Sequence, residues 1–187
     1  MIRVFLNPLG RVLRTISGDI DNLNINTLGS DIYVDLSEIS FDVYQHYYDF
    51  AAEAFVGLGE PPSIHHTFDY TTKQWIDPRT IDEIKAQKWA EVKQQRDRLE
   101  FGGFEFEGNI YDSDQVSQGR IMGAAVAGVD QVWTLADNTT VELSASQLQQ
   151  LYQALQLHIA EVHARGRAAR QLIFEAETKE QVEAVQL

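Results

Sequence analysis

Apolar and polar positions change rhythm once along the chain. Before about residue 76 they form short extended runs between turn residues. Beyond Pro78 they recur in three- and four-residue steps, the spacing of a helix face. Ile2-Arg3-Val4-Phe5-Leu6 and Arg11-Val12-Leu13-Arg14-Thr15-Ile16 flank Asn7-Pro8-Leu9-Gly10, which predicts a hairpin. Ser17-Gly18-Asp19 marks another turn, and Leu23, Ile25 and Ile32-Tyr33-Val34 predict further short strands. The stretch from Phe41 to Phe55 fits either period, a helix through Phe41, Tyr44, Tyr48 and Phe55 or strands through Phe41, Val43 and Ala54-Phe55-Val56. Gly57, Gly59 and Pro61-Pro62 favour a strand from Ala54 to Leu58. Phe68 to Trp75 predicts a hairpin with Thr71-Thr72-Lys73 at its tip.

The second part carries helix starts that can be read locally. Thr80-Ile81-Asp82-Glu83 is a capping box, in which the threonine hydroxyl accepts a first-turn amide and the glutamate bonds back. Ile81, Ile84, Trp89, Val92, Arg96 and Leu99 then mark one face, and Gly102-Gly103 ends the helix. Phe104 to Tyr111 predicts a hairpin around Gly108-Asn109. Asp112 and Gln115 stand in capping-box register before a helix through Ile121 and the small residues Gly123 to Gly128, a face that permits close approach of a neighbour. Val132-Trp133-Thr134-Leu135 and Thr140-Val141-Glu142-Leu143 form another hairpin. Ser144 to Gln147 caps the longest helix, with Leu143 and Leu148 as a hydrophobic staple. Its stripe runs through Leu148, Tyr152, Leu155, Ile159 and Val162 and resumes after Gly166 at Ala169 and Ile173. His158 and Arg165 interrupt a strict coiled-coil seam, so packing within the chain is the expectation. Thr178 to Gln181 caps a last short helix. The fold class expected is α+β: a β-rich acidic amino-terminal module, residues 1–63, then a module of three main helices with interleaved β-hairpins, residues 64–187. Pro61-Pro62-Ser63 is the expected joint.

Composition narrows the function classes. Apolar residues make up 44% of 187, enough for a core, and there is no cysteine to supply a disulfide, thiolate ligand or thiol nucleophile. No apolar run approaches the roughly 18 residues of a membrane span, and Pro8 interrupts any signal-peptide core, so a soluble, non-exported chain is expected. Net charge is −13, and no lysine or arginine lies between Arg14 and Lys73. That stretch holds ten acidic residues: Asp19, Asp21, Asp31, Asp35, Glu38, Asp42, Asp49, Glu53, Glu60 and Asp69. Such a surface repels phosphate and anionic lipid, which argues against nucleic-acid and membrane partners. It reads as a solvated face, or as a docking face for a basic protein or a divalent cation.

Candidate chemistry is thin. Asp112-Ser113-Asp114 has the spacing to hold a divalent cation, but helix capping accounts for it. Glu105 and Glu107 alternate with Phe104 and Phe106 on one solvated strand face. His65-His66 lacks a third ligand, and His158 and His163 lie on different helix faces. Ser113 and Ser117 lack a nucleophile-elbow context, and Gly57-Leu58-Gly59 lacks the rest of a phosphate loop. Trp75, Trp89 and Trp133 suit the anchoring of small cores. No catalytic, cofactor-binding or metal-binding residue is assigned, no cofactor is expected, and the chain reads as not an enzyme.

Several stretches carry a resemblance: Phe68 to Thr80, Lys88 to Lys93 with Arg96-Asp97, Gly102-Gly103-Phe104, Tyr111 to Asp114 with Ser117 to Ile121, and Val132 to Asn138. Together they resemble a family of phage and prophage tail proteins with a carboxy-terminal domain of unknown function, encoded near tail-fibre genes. The likeness spans roughly residues 65–185 and is loose before that. It implies a non-catalytic structural component of a bacteriophage tail, joining the tail tip or baseplate to the fibres. Its partners would be other tail proteins, with self-association as a further contact. Its location would be the virion tail, and the host cytoplasm during assembly. The alternative is a tail-fibre assembly chaperone absent from the mature virion.

Overall fold

A computed structural model describes residues 1–187, and the fold is mixed α+β. The chain divides into two compact units, Met1–Arg79 and Thr80–Leu187.

In the first unit, β1 (Ile2–Leu6) lies between β2 (Val12–Ser17) and β3 (Ile32–Leu36), antiparallel to both. Both faces of this central strand are covered. Val4 and Leu6 pack with Val12 and Val43, while Arg3 on the other face is 2% exposed. A buried guanidinium needs its donors satisfied. Arg3 donates to both carboxylate oxygens of Asp35 at 2.7 Å, to Thr27 Oγ1 at 2.8 Å and to Asn24 Oδ1 at 3.3 Å. Asn24 belongs to α1 (Ile20–Ile25), a helix where Leu23 and Ile25 predict strand. Asp19 is the reason: its carboxylate accepts the Asn22 amide at 2.9 Å and caps the helix, in which Leu23 is fully buried.

The Phe41–Phe55 ambiguity resolves into a short 3-10 turn, Val43–Gln45, followed by the hairpin of β4 (His46–Asp49) and β5 (Ala54–Gly57). The first turn locks onto it. Gly10 has φ +80°, and a Cβ there would lie 2.0 Å from Tyr48 O, so only glycine fits. Tyr48 N–H donates to Gly10 O at 2.8 Å.

The hairpin of β6 (Thr67–Asp69) and β7 (Gln74–Ile76) belongs to this same unit, so the division falls at Arg79/Thr80 rather than at Pro61-Pro62-Ser63. Aromatic packing and two long-range bonds bring it in. Phe68 stacks on Tyr47 at 5.7 Å, Trp75 Nε1 donates to Leu58 O at 2.8 Å, and the Lys73 ammonium bonds Leu9 O.

The second unit is built on helices. α2 (Ile81–Phe101), α4 (Ala145–Glu175) and α5 (Lys179–Glu183) each begin with the expected capping box, at Thr80, Ser144 and Thr178. α3 (Gln115–Ala127) starts later than its sequence suggests. Its cap is Asp114, which accepts the Val116 amide at 2.9 Å and the Ser117 amide at 3.3 Å, and Asp112 plays no part. The hairpin of β8 (Phe104–Phe106) and β9 (Asn109–Tyr111) turns at Glu107 and Gly108, both with positive φ, one residue before the expected Gly-Asn pair. Glu107 therefore leaves the strand and does not share a face with Glu105. β10 (Gln131–Thr134) and β11 (Thr140–Leu143) form the last hairpin.

α4 runs unbroken through Gly166 and serves two cores in turn. Leu148, Leu151 and Leu155 pack with Ile121, Ala124, Phe104, Tyr111, Leu135 and Leu143. Ala169 and Ile173 pack with Ile84, Val92, Val182 and Val185. The small residues of α3 divide accordingly: Ala124 and Ala125 are buried, whereas a Cβ on Gly119 or Gly123 would meet nothing within 4 Å.

Candidate functional site

Where β9 runs into α3, the chain opens a cleft of about 590 Å³ beside the last hairpin. One wall is β10 with Leu135 and Asn138; the other is Asp112 and the α3 residues Ser117, Arg120, Gly123 and Ala124. These are the two stretches, 111–121 and 132–138, that carry much of the resemblance. The α3 wall follows from helix geometry, since residues 117, 120 and 124 recur at three- and four-residue steps on one face. The β10 wall follows from position in the sheet, because β10 pairs with β11 alone.

Polar groups in the cleft are of two kinds. Some are held within the chain. The Ser117 hydroxyl donates to Asp114 Oδ2 at 2.6 Å, and that bond, with the Ser117 and Val116 amides, keeps the Asp114 carboxyl below the usual carboxylate range. A carboxylate so depressed is a poor general base, so the Ser117–Asp114 pair lacks the makings of an activated nucleophile. Others make no hydrogen bond. Asp112 and Arg120 line the same cleft but form no ion pair with each other, and the Arg120 charge also acts on the Asp114 carboxylate. Trp133 is half-buried, with its ring against the core of the unit.

The remaining candidates go elsewhere in the fold. Asp112 and Asp114 do not converge, because Asp114 turns inward to cap α3. Ser113 is fully buried and ties two elements together: its hydroxyl donates to Glu100 O at 2.6 Å and accepts from Gly103 N–H at 2.9 Å. His158 and His163, though five positions apart, both reach the last turn of α2. His158 Nε2 bonds Leu99 O at 2.9 Å and His163 Nε2 bonds the Glu100 carboxylate at 3.0 Å. His66 Nδ1 bonds Ser63 Oγ at 2.9 Å in its own loop. Glu107 accepts from Gln147 Nε2 at 3.2 Å.

Much of the acidic run is structural as well. Asp19, Asp31, Asp42, Asp49 and Asp69 each accept a nearby backbone amide at 2.8–2.9 Å. Asp35 holds Arg3. Asp21, Glu38, Glu53 and Glu60 are exposed.

Arg120, Gly123 and Asn138 are cleft residues that sequence reasoning does not single out. The only signal for Gly123 is its place in a small-residue run, and Arg120 appears merely as one residue of a resembling stretch. No curated protein and no solved structure matches the chain. A family described as a domain of unknown function (DUF4376) matches residues 83–186, more than half of the sequence, and the chain belongs to that family.

Proposed function

We propose that the chain is a non-catalytic structural component of a bacteriophage tail, joining the tail tip or baseplate to the fibres. The observation that carries the reading is convergence: two stretches resembling phage tail proteins, separate in sequence, form the two walls of one cleft. A surface assembled in this way suits recognition of a partner. Non-catalytic character is supported by how the conspicuous polar residues are engaged. Ser113, Asp114, His158 and His163 each bond a neighbouring element or cap, which is the work of a scaffold.

Tail proteins are the partners in this reading, and the cleft and the exposed acids of the first unit are its candidate contact surfaces. The location is the virion tail, reached from the host cytoplasm during assembly. Immunogold electron microscopy of purified particles tests the placement directly. Label at the tail tip or fibre base is the expected result. Label confined to the infected-cell lysate, with bare particles, points instead to an assembly chaperone that leaves before the virion is complete.

A further inference from the structure

The cleft beside β10 has the geometry of a place for one more strand. A groove under a sheet face touches every second residue, because side chains alternate between faces. This one touches each residue from Gln131 to Leu135, so it runs along an edge. The direction of the backbone groups can be read from two bonds at the end of β10. Leu135 N–H donates to Thr139 O at 2.9 Å, toward β11. The next amide, Ala136 N–H, points the other way and donates to Ile110 O at 3.0 Å.

Backbone groups alternate sides along an extended strand. Thr134 and Val132 therefore face the same way as Ala136, away from β11 and into the cleft. Ile110 supplies the first rung of an additional strand. The chain then turns off into α3, and the rungs at Thr134 and Val132 have no backbone partner.

The opposite wall is shaped for an occupant. Gly123 carries no side chain, and a Cβ there would meet nothing within 4 Å. Asp112 and Arg120 supply opposite charges that form no ion pair, with Arg120 acting on Asp114 through its charge alone. Their complement is an extended segment bearing one acidic and one basic side chain.

We propose that this cleft binds an extended peptide segment of mixed charge from a partner protein, which adds to β10 as a strand through the backbone of Val132 and Thr134. Main-chain bonds supply affinity, and Asp112, Arg120 and Trp133 select the side chains. The inference does not depend on the tail reading, because it is measured on the isolated full chain rather than on particles.

The probe is a displayed library of random linear heptapeptides, selected against the full-length protein and followed by synthesis of the enriched sequences. The expected result is enrichment of peptides carrying one acidic and one basic residue. Gly123→Phe fills the cleft from a helix position with open space, and it should weaken those peptides at least 10-fold. Val126→Phe, on an exposed part of the same helix, should leave binding unchanged. Val132→Pro removes the outward amide while sparing the β11 side, and it should also lose binding. N-methylation of alternate peptide amides should abolish binding in one register only. The proposal is overturned if no sequence is enriched. It is equally overturned if enriched peptides bind Gly123→Phe and Val132→Pro as tightly as the wild type while melting curves show both variants folded.

Discussion

Among the buried polar side-chain atoms of this chain, one has no hydrogen-bond partner. The Tyr111 hydroxyl is buried without a hydrogen-bond partner, and burial raises its pKa. An unsatisfied buried hydroxyl is destabilising, so Tyr111→Phe should keep the melting temperature or raise it, by up to about 1 kcal/mol of stability. A clear loss of stability would mean that the hydroxyl has a partner, such as an ordered water. Ser113 is the converse case. Its hydroxyl serves both Glu100 O and Gly103 N–H, so Ser113→Ala should lose roughly 1–3 kcal/mol by denaturant titration.

Asp114 makes the residue scale pH-dependent. Its folded carboxyl is held below the ordinary range by the Ser117 hydroxyl first and then by two amides. A carboxyl lowered in this way contributes stability above its unfolded pKa, roughly 3.9. That contribution is lost as pH falls through the folded value. Asp69 and Asp137 act in the same direction, through the Thr71 amide and the Thr139 hydroxyl respectively. Melting curves from pH 7 to pH 3 should fall steeply below about pH 4. Asp114→Asn should be less stable at neutral pH, and its deficit should shrink in acid. A deficit that stays constant across the range would exclude this linkage.

Among the elements, α4 decides whether the second unit stands alone, because it completes both of that unit's cores. A fragment of residues 80–187 should melt cooperatively with strong helical circular dichroism, and one showing little helix would refute that independence. Leu151→Ala, at a fully buried position in the first half of α4, should cost roughly 2–5 kcal/mol. What was legible at this scale was local. Capping boxes at Thr80, Ser144 and Thr178 need four consecutive residues, and the hairpins need only a turn between apolar runs. Errors arise where a short-range signal has a competitor a residue or two away. Asp114 outcompetes Asp112 as a cap, Glu107-Gly108 outcompetes Gly108-Asn109 as a turn, and Asp19 turns a strand pattern into α1.

The stripe of α4 illustrates a different limit. Placed on Tyr152, it passes over Leu151, which the structure buries completely. The cleft lay beyond local reading altogether. Asp112, Arg120, Gly123 and Trp133 come together only because β9 leaves the edge of β10 to enter α3, a tertiary event. The buried Arg3–Asp35 pair, 32 residues apart, is hidden for the same reason.

At the scale of the whole molecule, the charge of −13 is a question about partners. Because Asp35 holds a buried guanidinium and five other aspartates hold turns, neutralising the acidic run indiscriminately would damage the fold. The substitutions Asp21→Asn, Glu38→Gln, Glu53→Gln and Glu60→Gln leave those bonds in place. If the first unit docks through its field, this variant should bind tail proteins more weakly, and wild-type binding should fall with salt, since screening acts over about 10 Å at 0.1 M. Equal affinity for the two proteins at every salt concentration would leave the acidic segment as a solvating surface.

The tail assignment itself rests most directly on what finished particles contain. If the proposed tail role holds, quantitative mass spectrometry of gradient-purified virions of a phage that encodes this chain should find it in a fixed ratio to the fibre and baseplate proteins, unchanged through repeated purification. Its absence from such particles, alongside abundance in the infected cell, would contradict a structural place in the tail.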